Sequence, residues 1–295
     1  MTFSVIIPTY NRSLYLFKCL KSLCSQTFKD FEVIICDDGS TDNTIEVVNQ
    51  FKQFLDIKYI LIGNSGGPAK PRNEAIKNCV GKWICFLDVD DYWFEDKLQR
   101  CLSHTESADL IYHDMIIEDA LGIKTGVFKG RKLDENDMRY DLLANFNAIA
   151  TSSVCIKREI FIATGQFDEA VDYRFIEDFD YWLRASETTT NFKYIPETLG
   201  TYVEHTTNSS SDFIGQARRL EKLYYKYSIK LDNAKKAKNV INAYHYLAAC
   251  LFEKAKNYRS ATTHFSKSLS CLNPIVRLKS LIKIVKYYAF VSKNV

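Results

Sequence analysis

The stretch Trp83-Ile84-Cys85-Phe86-Leu87-Asp88-Val89-Asp90-Asp91 constrains this chain more than any other. A short apolar run that stops at three carboxylates reads as a buried strand whose C-terminal end opens onto a wet, charged place. In an open α/β sheet that edge is where ligands settle, and Asp88 and Asp90, one residue apart, can direct oxygens at a hard cation or a ribose. The same acids can instead cap a helix starting near Trp93, because Asp is a favoured N-cap. The stretch alone leaves both readings open.

Upstream the pattern repeats. Strand-like Phe3 to Ile7 ends at Pro8-Thr9-Tyr10-Asn11-Arg12 and precedes a helix with Leu16, Leu20 and Leu23 on one face. A second strand, Phe31 to Cys36, ends at Asp37-Asp38-Gly39-Ser40-Thr41-Asp42. Helix Thr44 to Phe54, strand Lys58 to Ile62, loop Gly63 to Pro68 and helix Ala69 to Asn78 complete a β/α alternation. That rhythm predicts parallel strands with helices on both faces. Beyond the acids the spacing predicts a helix over Phe94 to His104, a strand Leu110 to His113, and a hairpin around Asp119 to Lys129. Helices near Met138 to Phe146 and Arg158 to Thr164 flank a strand Ser153 to Ile156. A helix opens at Glu177-Asp178, two strands cover Phe192 to Ile195 and Gly200 to Val203, and only helices are expected past Ser211.

The nine cysteines are scattered, with no C-x-x-C pair or metal-ligand spacing, which predicts reduced thiols rather than a disulfide framework. The start, Met1 to Pro8, lacks a basic segment and enters a strand directly, so no signal peptide is expected, and no apolar run reaches bilayer-spanning length. The net charge of +3 hides an asymmetry: from Gly215 to Val295 there are 17 Lys and Arg against 3 Asp and Glu, and before that 22 against 33. An acidic body suits a metal-using site, and a basic tail suits an anionic partner.

In order along the chain, Val5-Ile6-Ile7-Pro8-Thr9-Tyr10-Asn11-Arg12, Asp37-Asp38-Gly39-Ser40, Pro71-Arg72-Asn73, Phe86-Leu87-Asp88-Val89-Asp90-Asp91, Glu177-Asp178-Phe179-Asp180-Tyr181-Trp182 and His205-Thr206-Thr207-Asn208-Ser209 resemble the motifs of the inverting family 2 glycosyltransferases with a GT-A fold. The resemblance covers about residues 1 to 210; each motif alone is weak and the ordered set is specific. It implies a GT-A catalytic domain over 1–210, with a nucleotide-binding part (1–104) and an acceptor-binding part (105–210), followed by a basic helical extension over 211–295. It further implies transfer of a sugar from a UDP-sugar to a hydroxyl of a glycan or lipid-diphosphate-linked glycan, as in bacterial O-antigen or capsule synthesis.

Carried over position by position, the resemblance puts Pro8, Thr9 and Tyr10 at the uracil, with Tyr10 stacking on it and Asp38 reading it. Arg72 falls beside the diphosphate or Asp88, although the family usually has Ala where this chain has Pro71. Asp88 and Val89 meet the donor, and Asp90 with His205 would hold Mn²⁺ or Mg²⁺. Asp178 is the expected base, and Glu177 is expected to orient the acceptor hydroxyls.

Plainer readings stand beside each of these. Asp37-Asp38-Gly39-Ser40 is also an ordinary Asx turn, Tyr10 a packing aromatic, Arg72 a helix-surface residue, His205 a loop residue, and Glu177-Asp178 an acidic first helical turn. Asp91 reads as a cap or a support for the site. Asp180 and Arg184, four apart, read as a helix-surface pair, and Trp182 as core or acceptor wall.

In the tail, Tyr244 to Phe252 and Tyr258 to Leu269 resemble one tetratricopeptide-like hairpin. A last helix sets Ile275, Leu278, Ile282, Val285 and Ala289 on one face, with Lys279, Lys283 and Lys286 at its flank. It either docks on the hairpin or lies on an anionic membrane. The expected location is therefore cytoplasmic, peripheral at the inner face of the membrane. No nucleic-acid reader motif accompanies the charge. Neither a G-x-S-x-G elbow nor G-x-G-x-x-G after the first strand is present, which disfavours a serine hydrolase and a nicotinamide enzyme. A nucleotide-binding scaffold without turnover and a nucleotide-sugar hydrolase remain as alternatives.

Overall fold

The computed structural model describes residues 1–204 and 212–291, the last four of these without side-chain detail. His205 lies outside the described residues. The chain divides into two compact units, Met1–Glu135 with Ala148–Glu169 and Glu177–Thr206, and Asn136–Asn147 with Ala170–Ile176 and Thr207–Val295.

The first unit begins with β1 (Phe3–Thr9), α1 (Ser13–Cys24), β2 (Phe31–Asp37), α2 (Thr44–Phe51), β3 (Ile57–Leu61), α3 (Ala69–Ile76) and β4 (Trp83–Phe86). β1 pairs in parallel with β2 and β4, and β2 with β3. β1 and β2 are buried along their whole length, as expected of strands covered on both faces. Phe3, Val5, Ile7, Phe31, Val33 and Ile35 from these strands, with Leu16, Leu20, Leu23, Val47 and Val48 from the helices, belong to one core. Pairing of β1 with β4 ends at Ile6 against Phe86, and Pro8, which has no N–H to offer a ladder, follows at once. The two strands part there. Because the chain order runs outward in opposite directions from β1 and β4, this gap at their C-terminal ends is a topological switch point, where such sheets take up ligands.

The remainder of this unit has β5 (Tyr92–Trp93), α4 (Lys97–Leu102), β6 (Leu110–Asp119), β7 (Lys124–Phe128), a 3₁₀ turn Thr151–Ser153, β8 (Cys155–Lys157), α6 (Arg158–Thr164), α7 (Glu177–Thr188) and β9 (Phe192–Glu204). The full strand order is β3-β2-β1-β4-β8-β6-β9-β5, with β7 as a hairpin partner of β6. β8 runs antiparallel to β4 and β6, whereas β9 is parallel to β6.

Three expectations shift. The helix foreseen from Phe94 starts at Lys97, and Tyr92-Trp93 is instead a short strand on β9. The cap reading of the acids therefore fails. The two strands foreseen over 192–203 are one continuous strand that passes Pro196 by changing register against β6, so no turn is needed.

The second unit holds α5 (Met138–Ala144) and four helices, α8 (Phe213–Ser228), α9 (Ala234–Lys254), α10 (Tyr258–Ser268) and α11 (Pro274–Val291). Asn233 and Asn257 cap α9 and α10 by accepting from backbone N–H groups of the first turn. Ala249, Ala261, Phe265 and Tyr287 pack between α9, α10 and α11. On α8, Tyr224 and Tyr227 are buried and Tyr225 is open. α11 packs through Val276, Ser280 and Tyr287, while Ile275, Leu278, Leu281, Ile282 and Val285 are each 50–62% exposed. No helix among the described residues is long and apolar enough to cross a membrane.

Candidate active site

The β1 and β2 exits are laced together. The Asp38 N–H donates to the Thr9 carbonyl at 2.8 Å. Asn11, in the left-handed region at φ 50°, donates its N–H to Ser40 and accepts from the Thr41 N–H, each at 2.8 Å. Asp37 is held by the Ser40 N–H and by the Tyr59 hydroxyl, at 2.7 and 2.6 Å. Asp38, buried, accepts from both the N–H and the hydroxyl of Ser65 at 2.8 Å. Gly39 has φ 87° and lies so close to Asn64 and Ile62 that a Cβ there would press on backbone. Beside this frame, Thr9 is buried with no partner for its hydroxyl among the described residues, and Tyr10 presents an exposed ring.

Arg72 is the centre of the site. Its side chain is only 3% exposed; one terminal nitrogen donates to Asp88 Oδ1 at 2.5 Å, the other to Glu177 Oε1 at 2.6 Å. Burial opposes its charge, but Asp88 and Glu177 outweigh that and keep the guanidinium protonated. Planar, divergent donors are what allow one cation to span two carboxylates. Arg72 is therefore no surface residue. Pro71 sits in the first turn of α3, where a missing N–H costs nothing. Asn73 finishes the motif's work: its amide binds the Phe167 carbonyl and Glu169, and its carbonyl takes the Phe167 N–H, tying the segment before α7 to α3.

At the end of β4, the Asp88 N–H donates to Ser152 and its side chain is about a third exposed, while Val89 is buried. Burial, with Asp88 beside it, pushes Asp90 up to about 6, against the pull of Arg12 and Arg72. Asp91 is buried and raised further by burial and its two acidic neighbours; it accepts the Val203 N–H at 3.0 Å and so anchors the end of β9. Across Arg72, burial pushes Glu177 up to about 7 although Arg72 opposes it, and its Oε2 has no hydrogen-bond partner among the described residues. Asp178 accepts from the Thr151 hydroxyl at 2.8 Å and is raised by burial, with Asp88 adding to the rise.

The structure thus joins Arg72, Asp88, Glu177 and Asp178, and places Pro8, Thr9, Tyr10 and Asp38 at the adjoining strand ends. Asp180 is a correction: it pairs with Arg184 at 2.8 Å but is buried, because its helix face turns toward the core. Trp182 is wholly buried, among Phe86 and Phe167. Ser65, Thr151, Ser152 and Arg12 escaped the sequence reading. Only Arg12, inside a motif, carried any signal.

Asp88, Asp90 and Asp91 crowd negative charge at the exit of β4, with Asp90 and Asp91 raised above their ordinary range, a repulsion that a hard divalent cation would relieve. Among the described residues no group of three or more His, Cys, Asp or Glu is arranged to hold a metal.

A nucleotide-type switch point closed by opposed acidic groups defines a GT-A glycosyltransferase fold. The structure of Staphylococcus aureus TarS 1–349 in complex with UDP-GlcNAc shares it, with a TM-score of 0.69 at 20% identity over 98% of this chain and 89% of that one. The family model "Glycosyl transferase family 2" matches residues 4–146. The Escherichia coli UDP-Glc:α-D-GlcNAc-diphosphoundecaprenol β-1,3-glucosyltransferase WfaP is 35% identical over 184 residues, 61% of this chain and 68% of WfaP. The chain belongs to glycosyltransferase family 2. The Staphylococcus aureus poly(ribitol-phosphate) β-N-acetylglucosaminyltransferase TarS is 38% identical over 134 residues, which is 44% of this chain and only 23% of that protein's length.

Proposed function

We propose that the protein transfers a sugar from a UDP-sugar, with inversion, to a hydroxyl of a glycan or lipid-diphosphate-linked glycan, in the synthesis of a bacterial surface polysaccharide such as O-antigen or capsule. The observation that carries the reading is the Arg72 bridge. It makes the acids after β4 and those opening α7 two sides of one site.

The uracil would lie against Tyr10 and the backbone of Pro8 and Thr9, with Asp38 accepting from its N3–H. Asp88 and Val89 would meet the ribose and diphosphate. Asp90, with His205 if it reaches the site, would hold Mn²⁺ or Mg²⁺, which supplies Lewis-acid stabilisation of charge on the departing diphosphate. Asp178 takes the proton of the acceptor hydroxyl as its oxygen attacks the anomeric carbon; the new C–O bond forms as the bond to UDP breaks, and UDP keeps the electron pair. Thr151 fixes the Asp178 carboxylate, and the raised proton affinity of Asp178 favours proton uptake. Glu177 would hold Arg72 against Asp88 and help to orient the acceptor hydroxyls. Residues 1–104 would serve the donor, 105–210 the acceptor, and 211–295 would form the extension. The names of WfaP and of the TarS complex, which give UDP-Glc and UDP-GlcNAc, support a UDP-sugar donor. The diphosphoundecaprenol in WfaP's name supports a lipid-linked acceptor.

The exposed aliphatic face of α11, flanked by Arg277, Lys279 and Lys286, supports peripheral contact with an anionic membrane.

The deciding experiment follows UDP release from a panel of UDP-sugars with lipid-linked acceptors, with and without Mn²⁺. Asp178→Asn is expected to bind UDP as the parent does and to lose turnover by about 10²-fold or more. Asp90→Asn is expected to lose the metal-dependent part of UDP binding. Undiminished turnover in Asp178→Asn would overturn the base assignment, and UDP binding without release across the panel would favour the scaffold.

A further inference from the structure

Beneath the acids lies a second cluster that the transfer reaction does not use. Cys85 on β4 and Cys155 on β8 are directly opposed in the antiparallel ladder, and their sulfurs lie 2.8 Å apart. Opposed residues in such a ladder have Cα atoms about 4.5–5.5 Å apart, inside the range that a disulfide spans without backbone movement. Lys97, wholly buried, donates to Cys155 Sγ at 3.0 Å and lies 3.6 Å from the centre of the Trp93 ring. No carboxylate pairs with this lysine in any hydrogen bond or ion pair described. Its charge is satisfied only if Cys155 is a thiolate. Burial disfavours the Cys155 anion, but Cys101, Cys85 and Lys97 together bring its proton affinity well below that of an ordinary thiol. Cys85 moves in the opposite direction through burial and stays a thiol.

A nucleophilic sulfur with a protonated thiol in register beside it has the layout of an attacking and a resolving cysteine. We propose that Cys85 and Cys155 form a reversible redox site that closes to a disulfide on reaction with hydrogen peroxide. The Cys155 thiolate attacks one peroxide oxygen; the O–O bond breaks, Cys155 becomes a sulfenic acid, and the hydroxide released takes a proton to become water. Cys85 sulfur then attacks the sulfenic sulfur, the S–O bond breaks, and a second water leaves with the Cys85 proton. In balance, two thiols and one peroxide give one disulfide and two waters. Both sulfurs are buried, which selects for a small oxidant, and hydrogen peroxide is the smallest that takes two thiols to a disulfide. The link would join the strand that enters Asp88 to the one that leaves Thr151, the residue holding Asp178.

The test uses the full chain, folded, exposed to hydrogen peroxide and quenched with catalase before denaturation in an alkylating agent. Cys85 and Cys155 are expected to escape alkylation while the other cysteines take it up, with a Cys85–Cys155 linked peptide and reversal by dithiothreitol. With dimedone added together with the denaturant after the peroxide quench, Cys85→Ser should carry an adduct on Cys155, and Cys155→Ser should carry none on Cys85. Cys101→Ser should still give the link. Recovery of Cys85 and Cys155 as alkylated thiols from peroxide-treated wild type would overturn the proposal, and so would a link that appears only after unfolding. These readouts need neither donor nor acceptor, so their failure is separate from any failure of the transferase reading.

Discussion

Replacing Arg72 by Met removes the cation that two acids share. Glu177 sets the cost: it is 2% exposed, and with Arg72 gone it has no other cation within hydrogen-bonding distance among the described residues. Asp88 is about a third exposed, so water covers much of its loss and its share is small. Breaking a buried pair from one side costs about 3–5 kcal/mol; the lower end applies here because Glu177 can take up a proton. About 3 kcal/mol is a factor of about 150 in the unfolding equilibrium. Glu177→Gln strands no charge, since Arg72 keeps Asp88, and the double variant should recover at least about 1 kcal/mol of the Arg72→Met loss. Urea unfolding read by tryptophan fluorescence suits the measurement, because Trp83, Trp93 and Trp182 are all buried in the first unit. The sign with pH follows from Glu177. Its folded proton affinity is raised to about 7 and rises further without Arg72, so stability is lost as pH climbs from the unfolded value through the folded one. The deficit of Arg72→Met should therefore widen above pH 7. A cost under about 1 kcal/mol, or a double variant equal to the sum of the singles, would refute a buried, shared guanidinium.

Further outcomes follow from other groups. Because Asp178 is raised mainly by burial, the acid limb of kcat/KM should lie above the ordinary carboxylate value; Thr151→Val, which removes a hydrogen bond to the charged form, should move that limb higher still. His113 is buried and lowered to about 3 by burial and by Lys97, so the unfolded chain binds its proton first as pH falls below about 6.5. Stability should drop by up to about 1.4 kcal/mol per pH unit from that group down to about pH 3, a component that His113→Gln should remove from the acid-denaturation curve. For α11, Leu278→Glu combined with Ile282→Glu should weaken co-sedimentation with phosphatidylglycerol vesicles about ten-fold or more, with the fold unchanged by circular dichroism. Equal sedimentation of parent and variant would remove this face from any membrane role.

Much of the architecture follows from local pattern. Mostly apolar runs bounded by Pro8-Thr9-Tyr10, Asp37-Asp38-Gly39 and Asp88-Val89-Asp90 read as strands buried on both faces with polar exits, and their alternation with helices made the parallel half of the sheet legible. So were the amphipathic helices of the basic segment, whose period is written in the chain. Tertiary structure decided what spans long separations. Arg72, 16 residues from Asp88 and 105 from Glu177, reads as an ordinary helical arginine until folding buries it between them. Asp180 looks solvated by its spacing and is buried because of what α7 packs against. Tyr92-Trp93 is a strand only because β9 lies alongside. Cys85 and Cys155, 70 residues apart, show no spacing signal, yet one register places their sulfurs in contact. Periodicity records which face of an element is wet; it does not record which distant partner a charge or a thiol will meet, and that partner sets whether the group is a surface ornament, a clamp or a nucleophile.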